Sequence, residues 1–102
     1  METIIANMPV DVNEQGYLLD MNQWNKTIAR QIASEEEIDL ADRHWEVLEY
    51  LRAEQLKGTA LSIRKIGKSG VVDIAEFYKL FPEGPLKKAS RIAGIPKPAS
   101  CI

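Results

Sequence analysis

One side chain in this sequence is a strong nucleophile toward sulfur: Cys101, the single cysteine, one residue from the end. A thiol reacts as its thiolate, so its chemistry depends on the charges around it. Lys87, Lys88, Arg91 and Lys97 follow Glu83, and no Asp or Glu follows it. Arg64, Lys65 and Lys68 form a second basic group earlier in the chain. Nearby cations lower a thiol's pKa and favour an anionic persulfide or thiosulfonate on its sulfur, while a carboxylate at the chain end opposes them. Lysines along a helix face are also what ordinary solvation produces, so the cations alone define no site. Placement says more. A lone cysteine is commonly a small buried hydrophobe, yet a position just beyond Pro96-Lys97-Pro98 is a poor one from which to fill a core.

Other chemistries lack their residues. One cysteine closes no internal disulfide, and with His44 the only histidine there is no zinc-type spacing, so neither metal nor cofactor is expected. His44 lies in an apolar stripe and reads as a core residue. A chain of 102 residues, 45% hydrophobic and 27% charged with net charge -2, fits one ordinary domain and selects no partner class. No basic stretch leads into an apolar run, and no segment approaches the ~18 apolar residues that cross a bilayer. A reducing cytoplasm and a monomer are the expectations.

The elements that must position the thiol follow from periodicity. Thr3-Ile4-Ile5 and Val10-Asp11-Val12 are β-prone, and Asn13-Glu14-Gln15-Gly16 is a turn before Tyr17-Leu18-Leu19, which together predict a hairpin over about 3–19. From Asn22 the period becomes helical, with Trp24, Ile28 and Ile32 on one face to about Ser34. Glu35-Glu36-Glu37 reads as a solvated connection. A second helix, with Asp39 as its cap, carries Leu40, His44, Val47, Leu48 and Leu51 inward, widened by Trp45 and Tyr50, and ends at Gly58. Shorter helices are expected over 59–66 and 72–80, the latter with Ile74, Phe77 and Leu80 at core spacing. The last has Pro85 at its first position and Gly94 just past its end, and buries Leu86, Ala89, Ile92 and Ala93. The fold class is α+β, mainly α: a small N-terminal β-hairpin on an orthogonal helical bundle over 1–94. Residues 95–102 then form a mobile C-terminal arm, because alternating prolines forbid helix. Extended, such an arm reaches about 20 Å.

The residues Gly16-Tyr17-Leu18, Gln23-Trp24, His44-Trp45-Glu46-Val47, Ser62-Ile63-Arg64, Leu80-Phe81-Pro82-x-Gly84-Pro85 and Ile92-Ala93-Gly94-Ile95-Pro96-Lys97-Pro98-x-x-Cys101-Ile102 resemble the DsrC/TusE sulfur-carrier family. The resemblance implies a hairpin on a helical bundle with an arm whose penultimate cysteine, Cys101 here, carries sulfur as a persulfide. It implies a sulfur-donor complex of the TusBCD or DsrEFH kind. The acceptor would be a transfer-RNA thiolase, or an enzyme of the sulfite-reductase or heterodisulfide-reductase kind. A second cysteine in the last helix marks the DsrC branch, where it bridges to the penultimate one; Ser90 holds that place here, which points to the single-cysteine, TusE-like branch. The stretch between Lys68 and Leu80 is several residues shorter than the family's usual one.

On this reading Cys101 takes sulfur by transpersulfidation, with Lys97 and Arg91 as electrostatic support and Arg64, which matches a family arginine, after them. The protein is then a sulfurtransferase-type carrier without a substrate pocket of its own. One alternative is a divergent DsrC-like carrier in dissimilatory sulfur metabolism. Another is a helix-turn-helix nucleic-acid module built on Lys57-Gly58 and the helix with Arg64 and Lys65; the acidic net charge and the tail do not fit it, and direct DNA binding is not expected. A third is a docking subunit whose tail does no sulfur chemistry.

Overall fold

In the computed structural model, which describes residues 1–98, the chain opens with two antiparallel strands, β1 (Glu2–Ile5) and β2 (Met8–Asp11), paired from Glu2 opposite Asp11 to Ile5 opposite Met8. Ala6 and Asn7 make the tight connection, both with positive φ (52° and 64°), as a two-residue primed turn between twisted strands requires. Ala is a poor residue for that geometry, so the turn left no mark in the sequence. The turn that was legible, Asn13–Gly16, also forms: the Asn13 side chain accepts from the backbone N–H groups of Gln15 and Tyr17. It returns the chain only to an isolated bridge, Val12 to Leu18, in place of a third strand.

Five helices follow among the described residues: α1 (Lys26–Glu35), α2 (Asp42–Leu56), α3 (Ile63–Gly67), α4 (Ile74–Leu80) and α5 (Pro85–Ile92). Their starts differ from expectation where side-chain capping decides. Asn25 caps α1 through Ile28 N–H, leaving Met21–Gln23 as a separate 3-10 turn, so the helix begins after Asn22. Asp39 does not cap α2; the backbone N–H of Ala41 donates to His44 Nδ1 at 3.0 Å. Ser62 and Asp73 cap α3 and α4, each supplying an oxygen to the orphan N–H groups of a first turn.

Three helices end alike. After α1, α2 and α5 a residue with positive φ (Glu37, Gly58, Gly94) is followed by one whose N–H reaches back five positions: Ile38 to Ala33, Thr59 to Glu54, Ile95 to Ser90. This is the Schellman closure, which satisfies the last carbonyls.

The core is one cluster joining all these elements, with Phe77, Phe81, Leu18, Ile28, Ile32, Leu48, Leu51 and Ile66 among its largest buried side chains. His44 is within it: Nε2 donates to the Leu80 carbonyl at 2.9 Å, and the ring meets Phe81 edge to face. The tautomer with hydrogen on Nε2 satisfies both ring nitrogens, so this histidine pins α2 to the end of α4. Ile74 departs from the expected pattern. It sits in the first turn of α4, 45% exposed, its stem against Gly67.

A bidentate pair ties α2 to α4. Arg43 donates from Nε and Nη2 to the two oxygens of Glu76 at 2.9 and 2.6 Å, and from Nη2 to the Val71 carbonyl; Glu46 takes its Nη1. The hydrogen bonds from Arg43 hold the Glu76 carboxyl below the usual carboxylate range, and the Arg43 guanidinium is pushed up in return, chiefly by Glu76. A carboxyl lowered in the folded state contributes stability that is present above its unfolded value, about 4.3, and is lost as pH falls through the folded one. The urea midpoint of wild type should therefore exceed that of Glu76→Gln at pH 7, and the gap should close as pH drops below about 4. A gap that stays constant down to pH 3 would mean that the charge on Glu76 contributes nothing.

Candidate functional site

Cys101 lies outside the described residues, so the site is built here from what holds and surrounds the root of its segment, residues 93–98. Gly94 adopts φ +68°, and a Cβ there would fall 2.3 Å from Trp24 Cδ1. The indole lies directly against this backbone and its Nε1 donates to the Ile92 carbonyl at 2.8 Å. Arg52, from α2, stacks on the other side of the node, its guanidinium carbon 4.1 Å from the Trp24 ring centroid. Its Nη1 donates to the Ala93 carbonyl at 2.8 Å and its Nη2 to the Met21 carbonyl at 3.0 Å. A cation thus meets the last carbonyls of α5, where the helix dipole favours it, and the charged hydrogen bonds and stacking each contribute on the order of 1–2 kcal/mol. Burial pushes the Arg52 guanidinium below its ordinary value.

The segment leaves this node under control. Ile95, placed by sequence at the start of the arm, is 1% exposed and belongs to the core, whereas Pro96 and Lys97 are exposed. Residues 95–98 face the 58–61 connection across a groove of ≈ 320 Å³.

On its other side Lys97 joins a second cleft of ≈ 280 Å³ with Lys87, Lys88, Arg91, Tyr17, Gln15, Glu36 and Glu83. The structure therefore brings Lys97 and Arg91 to one cleft, and Arg64 is not among its lining residues; it is exposed on α3. The two cations differ in state. Arg91 donates to Glu35 at 2.6 Å and to Glu36 at 2.8 Å, and its Nε lies 2.9 Å from where a Cβ on Gly16 would be. Two of the three acids expected to be solvated thus brace α5 against the end of α1. Lys87, Lys88 and Lys97 make no ion pair among the described residues. Ser90 is fully buried in α5, its Oγ without a hydrogen-bond partner among the described residues. Among the described residues no cluster of His, Cys, Asp and Glu could hold a metal, and no helix is long and apolar enough to cross a membrane.

Sequence reasoning missed Arg52 and its role. A basic residue inside a helix looks like any solvated one, and only the tail's return to Trp24 gives it partners. The helix-turn-helix alternative finds no support, since α3 has five residues, fewer than two turns.

A two-stranded hairpin on a bundle of helices is an architecture shared with solved DsrC proteins. The family model described as "DsrC like protein" matches residues 4–102, and the chain belongs to that family. It is 40% identical over 106 aligned positions to the "Sulfurtransferase TusE homolog" of Haemophilus influenzae, covering 96% of this chain and 97% of that protein. It is 39% identical to "Sulfurtransferase TusE" of Yersinia pseudotuberculosis, over 91% and 94% of the two. Among solved structures it is similar, over the full length of both chains, to the oxidised γ-subunit of dissimilatory sulfite reductase (DsrC) of Archaeoglobus fulgidus, with TM-score 0.82 and 32% identity. The DsrC of Allochromatium vinosum matches likewise, with TM-score 0.80 and 31% identity.

Gly58 and Gly94 share the helix-ending role, but nothing lies within 4 Å of a Cβ on Gly58. Gly58→Ala should cost only the left-handed conformation, about 1–2 kcal/mol. Gly94→Ala adds the collision with Trp24 and should cost about 2–5 kcal/mol. Equal losses in urea unfolding would show that the Trp24 contact is easily relieved.

Proposed function

We propose that this protein is a sulfur carrier that accepts sulfur as a persulfide on Cys101 and hands it to a partner protein. The observation that carries the reading is membership of the DsrC-like family, with TusE sulfurtransferases as relatives, in a chain whose only thiol stands seven residues beyond the clamped Gly94. The step is an exchange at sulfur: the Cys101 thiolate attacks the terminal sulfur of a donor persulfide, the donor's S–S bond breaks, and the donor cysteine leaves as thiolate. Cys101 then bears the persulfide, and an acceptor thiolate removes its terminal sulfur in the same way. Atoms and electrons balance without an oxidant, metal or cofactor.

The chain works with sulfur-relay partners. A TusBCD-like donor complex and an acceptor in transfer-RNA thiolation, in the cytoplasm, are the particular partners and place we propose. Ser90 supports this branch, because a serine cannot close the sulfur bridge to Cys101 that the two-cysteine branch uses. Lys97 fits electrostatic support best, since it is exposed, without an ion pair among the described residues, and four positions from Cys101 in the sequence. Arg91 acts through the cleft's shape, with its charge already met by Glu35 and Glu36.

Incubation with a persulfide donor should raise the intact mass by about 32 Da, one sulfur, and prior alkylation should abolish the gain. A gain that persists in Cys101→Ala, read by intact-protein mass spectrometry, would sink the carrier reading.

A further inference from the structure

Charge in this molecule is segregated by position. All fifteen acidic residues lie at or before Glu83, with nine of the thirteen basic ones, and the remaining four basic residues follow it. A body of formal charge near -6 therefore carries an end of +4. The fold concentrates this end: Lys87 and Lys88 on α5 and Lys97 on the segment beyond it line one cleft. Arg91, at the same cleft, is neutralised by Glu35 and Glu36. Three ammonium groups without an ion pair among the described residues are left in the lining, with Glu36 and Glu83 among the cleft's other residues.

We infer that this cleft is a docking surface for an acidic patch on the partner protein with which Cys101 exchanges sulfur. The inference rests on the carrier reading and adds where the partner is held and by what chemistry. A protein partner suits the charges better than a nucleic acid does, because the positive charge is confined to a few lysines on an acidic body, an area that a compact acidic patch matches and an extended polyphosphate overruns. Cys101 lies four positions beyond Lys97, a span of at most about 14 Å. The partner's reacting sulfur then lies within about that distance of its acidic patch. Docking by complementary charge raises the encounter rate and leaves the exchange at sulfur unchanged, and salt weakens it.

The test compares two double reversals of equal net charge: Lys87→Glu with Lys88→Glu in the cleft, and Lys65→Glu with Lys68→Glu on exposed positions at α3. Each is loaded from a neutral small-molecule persulfide and, separately, from a purified TusBCD-type donor complex. Loading from the small molecule should be unchanged in both. Second-order transfer from the complex should fall at least ~10-fold in the cleft variant at ~0.05 M salt, with the deficit shrinking toward ~0.5 M, and far less in the α3 variant. Equal slowing of both variants, or no slowing of the cleft variant, overturns the docking surface. Unchanged protein transfer with loss of transfer-RNA binding overturns it in favour of an RNA site. Failure of the carrier reading looks different: wild type itself takes no sulfur from either donor.

Discussion

The contact of Trp24 with the backbone of Gly94 is the constraint on which the rest of this end of the molecule depends. Only a residue without a Cβ admits the indole at that distance, and only a residue at ease with φ +68° turns the chain there. Once the indole is seated, its N–H takes the Ile92 carbonyl, and its face offers Arg52 a platform from which to take Ala93. The end of α5 is thereby fixed to the 3-10 turn and to α2 at once. Ile95 is drawn into the core, and Pro96 starts outward from a defined point.

That arrangement suits a carrier better than a pocket enzyme would. A reaction at sulfur needs only a thiolate and a partner's sulfur brought together, without a substrate pocket. The two clefts beside the root share Lys97 but differ in character. One runs along the 58–61 connection, and the other is cationic. The Ser90 hydroxyl, one residue before Arg91, is enclosed within α5.

Contacts within the fold divide the basic residues into two sets. Arg43, Arg52 and Arg91 are structural: each is a planar guanidinium that satisfies several acceptors across elements, the geometry for which arginine is suited. The lysines of the chain end stay exposed or half-exposed, as flexible, strongly hydrated ammonium groups do. Paired and unpaired cations thus stand side by side within the same few residues of α5 among the described residues.

Much of this was determined by local sequence. The single thiol, the run of cations after Glu83, the helices at their 3.6-residue period and the ends of α2 and α5 at Gly58 and Gly94 are short-range properties, set by side-chain type and backbone preference. The Ala6-Asn7 turn and the left-handed Glu37 escaped because their residues do not advertise positive φ, and tertiary packing holds them there. Tertiary structure alone decided that Arg91 is neutralised by the acids after α1, that Arg52 grips the end of α5, and that Ile95 is core. These contacts join residues 41 to 56 positions apart for the two arginines. Periodicity says which face of a helix is apolar, but which cation on the other face meets a carboxylate or a carbonyl depends on how the helices are brought together.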